Sequence, residues 1–196
     1  MQQLKLPEPL LGQWIWLREP DTRQETHLFF RRDFCVSEMP ASSEMWITAR
    51  TGFHLYINGQ LCAIGPTANP TENSYVYCVD INYLTQVGNN HIAVQVFNAN
   101  SSLANFRKKP GGFWAQLQID GQPFIWTDDD WKCLVPNCYV VPGIIQGVGA
   151  PSVEIMDFRA YPHDWQRMDI AAVTRGDFGK GRERIEKAPP KMVWYR

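Results

Sequence analysis

Acidic side chains supply the first candidates for chemistry. Asp128, Asp129 and Asp130 stand in a row ahead of Trp131, and Glu154, Asp157 and Arg159 form a second charged group further on. Hydrolysis of a glycosidic bond needs two carboxylates about 5–10 Å apart flanking that bond, one of them with a raised pKa. Three consecutive aspartates at a strand entry read instead as a solvated turn, with an oxygen-rich calcium site as the alternative. Their spacing matches no definite ligand loop, so no metal is expected. In a strand Asp157 and Arg159 point to the same side. An ion pair of Asp157 with Arg159 or Arg167, fixing the last strand or an interdomain contact, is the expected role. No catalytic residue is assigned.

The other chemistry-bearing residues are dispersed. His27, His54, His91 and His163 sit inside or beside apolar runs, with no His-x-x-x-His or His-x-x-Cys spacing to hold zinc. Cys133 and Cys138 lack a second pair, and Cys35 and Cys78 read as core residues. With Cys62 they make five, an odd number that suits reduced thiols rather than a disulfide framework. Gly-x-Ser-x-Gly, Walker-type and dinucleotide fingerprints are missing, so no cofactor is expected. Asn100-Ser101-Ser102 fits a glycosylation sequon, a triplet that also arises by chance.

One connection mixes the residue types that recognise sugars. Asn98 to Trp114, NANSSLANFRKKPGGFW, joins two strand-like runs and is longer than most connections. A sugar ring presents C–H groups to an aromatic face and hydroxyls to Asn or Arg. Asn98, Asn100, Phe106, Arg107 and Trp114 supply that mixture and are the candidate carbohydrate-binding residues. Packing against a neighbouring domain is the competing reading of the same loop.

The elements that must position these residues are strands. Leu28, Phe30 and Phe34 fall on one face of HLFFRRDF, with Arg32 the polar exception. Met45, Ile47 and Ala49 share a face of EMWITAR, and Ile92, Val94 and Val96 share one in HIAVQVFN. Asn58-Gly59 and Asp120-Gly121 are hairpin signals, because both residue types tolerate positive φ. DINYLTQVG suggests a single helical turn, capped by Asp80 and stopped by Gly88. SYVYCVDI, GFWAQLQI, PFIW, WKCLV and SVEIMDF complete about nine or ten short strands. That pattern predicts an all-β fold, an antiparallel β-sandwich.

Composition narrows the partners. The 196 residues carry 19 Lys+Arg and 20 Asp+Glu, which gives no electrostatic reason to expect nucleic acid or an acidic membrane. There is no apolar run long enough to span a bilayer. The start, MQQLKLPEPLLGQWIW, shows no signal peptide, so the expected location is cytoplasmic, although a trimmed chain would read the same way. Aromatics make up 13% of the chain, with 8 Trp, more than a generic core requires. Trp46, Trp126 and Trp131 fall in strands and should pack the sandwich, which leaves Trp14, Trp16 and Trp114 as sugar platforms. Residues 167–196 hold eight Lys/Arg against four Asp/Glu, and TRGDFGKGRERIEKAPPK reads as a solvated linker or arm.

HLYINGQLCAIGP, with the segments after it, resembles the N-terminal β-sandwich of bacterial α-L-rhamnosidases. The resemblance rests on Tyr56, Asn58 and Gly59 in a Tyr-x-Asn-Gly hairpin, on the Gly65-Pro66 pair, and on Asp80, Gly88 and Asn90. TDDDWKC (Thr127 to Cys133) resembles that family's Asp-x-x-Trp-Lys strand, and EIMDFRAYPHDW (Glu154 to Trp165) its Glu-x-x-Asp-x-Arg segment. Trp14 to Trp16 is similar to the Trp-Ile-Trp that opens such enzymes. The likeness spans roughly residues 12–170. Asp164 stands where the family often has Gly, and Tyr75 and Tyr77 only loosely match its Tyr-Asp.

The resemblance implies a jelly-roll-like, galactose-binding-domain-like sandwich over residues 1–170, with 171–196 as a linker or arm leading to a downstream domain. It implies that the acid and base lie in a helical barrel beyond this chain, and that the whole enzyme removes terminal α-L-rhamnose with inversion. The partners implied are that catalytic domain of the same polypeptide and rhamnose-containing glycans. A free-standing carbohydrate-binding module and the sandwich of a β-galactosidase-like enzyme are the alternatives.

Overall fold

The computed structural model describes residues 7–17, 25–66, 74–99, 110–140, 154–167, 182–186 and 192–194. Fourteen strands follow one another in these segments. They are β1 (Trp14–Leu17), β2 (Glu25–Val36), β3 (Ser43–Ala49), β4 (Gly52–Ile57), β5 (Gln60–Gly65), β6 (Ser74–Asp80), β7 (Gly88–Ala99), β8 (Phe113–Ile119), β9 (Gln122–Trp126), β10 (Lys132–Leu134), β11 (Tyr139–Val140), β12 (Ile155–Met156), β13 (Arg182–Glu186) and β14 (Met192–Trp194). The only helical element among them is a 3₁₀ turn, Asn82–Leu84.

Two sheets face each other, as period-two patterning predicts. The larger runs β13-β1-β8-β3-β6-β14 with β9 beside β8, and the smaller runs β10-β2-β7-β4-β5. All pairings are antiparallel except β14 with β6. The chain is therefore an antiparallel β-sandwich. The inward faces carry the alternating residues singled out above: Leu28, Phe30 and Phe34 from β2, Met45, Ile47 and Ala49 from β3, and Ile92, Val94 and Val96 from β7. Trp131 closes the core edge-on against Phe113, with ring centroids 5.2 Å apart. Removing this much apolar surface from water is the main force holding the sheets together.

Both predicted hairpins form with positive φ at their turn residues, 51° and 82° at Asn58 and Gly59 and 50° and 73° at Asp120 and Gly121. Asn58 also ties its hairpin to neighbouring chain. Its Nδ2 donates to the Leu84 carbonyl at 2.8 Å and to Asn90 Oδ1 at 2.9 Å, and its Oδ1 accepts the His91 N–H at 2.8 Å. The Tyr-x-Asn-Gly motif is thus a structural stitch. The N-cap of the 3₁₀ turn is Ile81 rather than Asp80, which accepts the Asn82 N–H at 2.9 Å from one residue further out, and the turn ends at Leu84 rather than at Gly88.

Two strands fall within residues 171–196, the stretch expected as a linker or arm. β13 pairs with β1, and β14 pairs with β6. Both receiving strands offer an edge of N–H and C=O groups, which a passing segment satisfies by pairing whatever its side-chain composition.

Candidate functional site

Among the described residues the inward faces of the sheets are mainly apolar, and polar side chains gather on an outer face. On the smaller sheet, β2 alternates outward with Phe29, Arg31, Asp33 and Cys35, opposite Gln95, Ala93, His91 and Asn89 of β7. Ala93 in turn pairs with Tyr56 of β4, and Gln95 with His54. Residues 135–140 and 154–167 cross the first half of this face, held as a small β11–β12 ladder and a run of turns. Phe29, Ala93, Leu134 and Trp165 form an apolar cluster beneath them, with Tyr56, Tyr139 and Tyr161 at its margin.

Polar groups fasten this cover. Arg31 is fully buried, a costly position for a cation unless it is paired. Its Nε donates to Asp33 Oδ1 at 2.9 Å, and its Nη1 to the Trp165 carbonyl. His91 Nδ1 lies 2.8 Å from the same Asp33 oxygen. Tyr139 stacks on His27, with centroids 3.8 Å apart and planes 7° from parallel, and its hydroxyl accepts Gln95 Nε2 at 2.7 Å. The Tyr161 hydroxyl accepts both Trp165 Nε1 and Gln166 Nε2 at 2.9 Å.

Three phenols therefore gather at one margin of the cover. Burial pushes the Tyr56, Tyr139 and Tyr161 hydroxyls above the ordinary tyrosine value; Tyr161 raises Tyr56 further, and Glu154, followed by Cys138 and the two other phenols, raises Tyr139 further. They stay protonated across the physiological range and can donate hydrogen bonds. The sequence signal for this cluster was the Tyr56 hairpin together with the Tyr-Pro-His-Asp-Trp run. Neither was read as a site, because the two come together only in the fold.

The loop candidates are placed differently. Asn98 is buried, its Oδ1 3.2 Å from Thr51 Oγ1. Trp114 is fully buried on the outer side of the larger sheet, clustered with Trp14, Trp46 and Val76. Gly12 passes so close that a Cβ there would lie 2.6 Å from Trp114 Nε1. A sugar platform must present a ring face to solvent, and Trp114 presents none. Trp14, under the Arg50 guanidinium at 4.1 Å, and Trp16 are buried as well. Asn100, Phe106 and Arg107 lie outside the described residues, as does the rest of 100–109.

The acidic groups are engaged by arginine. Arg32 reaches Asp128 Oδ1 at 3.6 Å and Asp130 Oδ2 at 3.1 Å, and Asp128 Oδ1 also accepts the Asp130 N–H, so this is a turn. Among the described residues no cluster of three His, Cys, Asp or Glu could hold a metal ion. Asp157 binds Arg159 through two hydrogen bonds of 2.9 and 2.8 Å, in a turn after β12 rather than along a strand. Those bonds hold its carboxyl below the usual value. Arg167 pairs with Asp164 instead.

Cys35, expected in the core, is exposed. It alternates with Phe29, Arg31 and Asp33 on the outer face, beyond the end of the cover. Cys78 is half-buried on the outer face of the larger sheet, beside the tryptophan cluster. Among the described residues no helix is long and apolar enough to cross a membrane.

No family profile matches the sequence, and no curated protein matches it. Solved structures do. A GH78 family rhamnosidase of Bacillus sp. GL1 superposes with a TM-score of 0.72 at 22% identity, over 93% of this chain and 19% of that one. An α-L-rhamnosidase from Dictyoglumus thermophilum gives 0.72 at 18% identity, over 95% and 22%. An α-L-rhamnosidase from Aspergillus terreus gives 0.65 at 18% identity, over 89% and 21%. The present chain thus spans about one fifth of each of these enzymes and shares with that fifth its β-sandwich fold.

Proposed function

We propose that this chain is the non-catalytic, N-terminal β-sandwich of a glycoside hydrolase similar to α-L-rhamnosidase. In this reading residues 1–170 form the accessory domain, and 171–196 lead on to a catalytic domain in the same polypeptide. The observation that carries the reading is the likeness of nearly the whole chain to one fifth of three rhamnosidases. The acidic chemistry supports it. Of the described carboxylates, Asp33, Asp128, Asp130, Asp157 and Asp164 each face an arginine, which suits ion pairing rather than the acid and base work of a glycosidase. The domain's work is then to support its catalytic neighbour and to contact glycan, with rhamnose-containing chains as the partner class. Five cysteines present as thiols support a reducing, cytoplasmic setting.

The purified chain should leave p-nitrophenyl α-L-rhamnopyranoside intact, and the codons after Arg196 should encode a helical catalytic domain. Turnover abolished by changing a carboxylate of this chain would overturn the proposal, and so would a stop codon at that point.

A further inference from the structure

The cover on the smaller sheet stops short. Past its margin the outer face of β4 and β5 is open, with His54 half-buried, Leu61 47% exposed and Ile64 60% exposed. The edge of the cover and this open floor make a step, and the phenols stand at its corner. Tyr56 rises from the floor, with its ring edge-on to Trp165 at 6.2 Å between centroids. Tyr161 and Gln166 stand in the wall.

Uncharged donors and acceptors stand together at this corner. Tyr161 already accepts two N–H groups, which occupies both lone pairs of its oxygen and leaves its O–H to donate outward. Among the described residues the Tyr56 hydroxyl has no hydrogen-bond partner. One row across the sheet, Arg31 Nη2 is buried with no acceptor among the described residues. That atom has no exposed surface, so it adds to the cost of burying the arginine rather than to the donors a ligand can reach. Yet the corner carries no net charge, because Asp33 neutralises Arg31 at 2.9 Å and Asp164 neutralises Arg167, which lies against Gly59, at 2.6 Å. Donors and acceptors without net charge, beside an aromatic edge and an exposed leucine, suit a neutral ligand with many hydroxyls and one apolar face.

We propose that the step between Tyr56, Leu61, Tyr161 and Gln166 binds the terminal residue of a neutral glycan. Sugar hydroxyls accept from the two phenols, and the C–H side of the ring lies against Tyr56 and Leu61. This deepens and rests on the glycan-contacting part of the proposed function, while the part that concerns a catalytic neighbour can fail without touching the site, since a free-standing binding module would carry it too.

The test is an amide-resolved NMR titration of the whole chain with methyl α-L-rhamnopyranoside, methyl β-D-galactopyranoside and methyl α-D-glucopyranoside, with sulfate as an anion probe. At least one glycoside should shift the amides around residues 54–64 and 159–167 saturably by about 50 mM, well past the millimolar range of weak binding. Tyr56→Phe and Tyr161→Phe should each weaken that glycoside up to about tenfold, the worth of one hydrogen bond. Tyr161→Phe also removes an acceptor from Trp165, so Leu61→Arg is the second variant. It fills the step from an exposed position, leaves the cover's hydrogen bonds intact, and should abolish the shifts. Saturation by sulfate alone, saturation elsewhere on the chain, no saturation by any glycoside, or unchanged binding in Leu61→Arg would each overturn the site.

Discussion

Trp165 lies flat on Phe29, with ring centroids 4.3 Å apart and planes 4° from parallel. This contact joins the last described turn before residue 168 to the second strand, and it is reinforced by Arg31 holding the Trp165 carbonyl. Trp165 is fully buried, so Trp165→Ala should lower stability by about 3–5 kcal/mol, the usual cost of emptying a large aromatic site. Urea unfolding reads the loss, and hydrogen exchange reads where it falls. Amides of 154–167 should exchange first, while β3 and β8 keep their protection. A loss under about 1 kcal/mol would mean that the stack does not hold the cover down.

Asn58 combines a left-handed backbone with three hydrogen bonds, and the two contributions can be separated. Asn58→Gly keeps the backbone unstrained but leaves the His91 N–H and the Leu84 carbonyl without their partner. It should cost about 2 kcal/mol. Asn58→Ala adds the penalty of an L-residue at φ 51° and should cost about 1 kcal/mol more. Equal unfolding midpoints for the two variants would show that backbone strain contributes nothing at this turn.

Much of this fold was legible before the structure, for a specific physical reason. Period-two alternation reports only that a side chain is inside or outside, and in a two-layer sandwich that decides most of the architecture. Leu28, Phe30, Met45, Ile47 and Val94 are buried as their spacing requires, and both Gly-containing turns fall where φ must be positive. Alternation is silent about what covers an outer face. Trp14 and Trp114 looked like exposed platforms because nothing local shows Gly12 crossing the indole of Trp114 or Arg50 lying over Trp14. Cys35 looked buried because its neighbours are apolar, although its parity with Asp33 places it outside. The phenol cluster was invisible because Tyr56, Tyr139 and Tyr161 come from three segments joined only by tertiary packing.

Arg32 breaks the apolar face of β2, and its partners explain why it is tolerated there. With Asp128 and Asp130 both beside it, the aspartate run is occupied by a guanidinium. Millimolar calcium should therefore leave the thermal midpoint unchanged, since a divalent ion would have to displace Arg32. Arg32→Ala should cost only about 0–1 kcal/mol, and less at high salt, because Asp130 is well exposed. Calcium-dependent stabilisation of the wild-type chain, followed by differential scanning calorimetry, would contradict this pairing.

The thiols give the chain a pH signature. Burial pushes Cys62 up to about 11 and Cys78 up to about 12, from an ordinary value of 9.0. The thiolate is the reacting species, so both should resist a disulfide reagent near neutral pH, while exposed Cys35 reacts first. One fast thiol is expected from the native chain, lost in Cys35→Ser, with the others released only by denaturant. Stability follows from the same shifts. The unfolded chain sheds these two protons near pH 9, and the folded chain only near 11 and 12. Between those values the unfolded state binds fewer protons, so each rise in pH favours unfolding. The raised tyrosines push the same way at higher pH. The urea midpoint should thus hold steady up to about pH 8.5 and then fall. Cys62→Ala and Cys78→Ala should each flatten the fall below pH 11, and an unaltered slope in both variants would show that the thiols do not drive it.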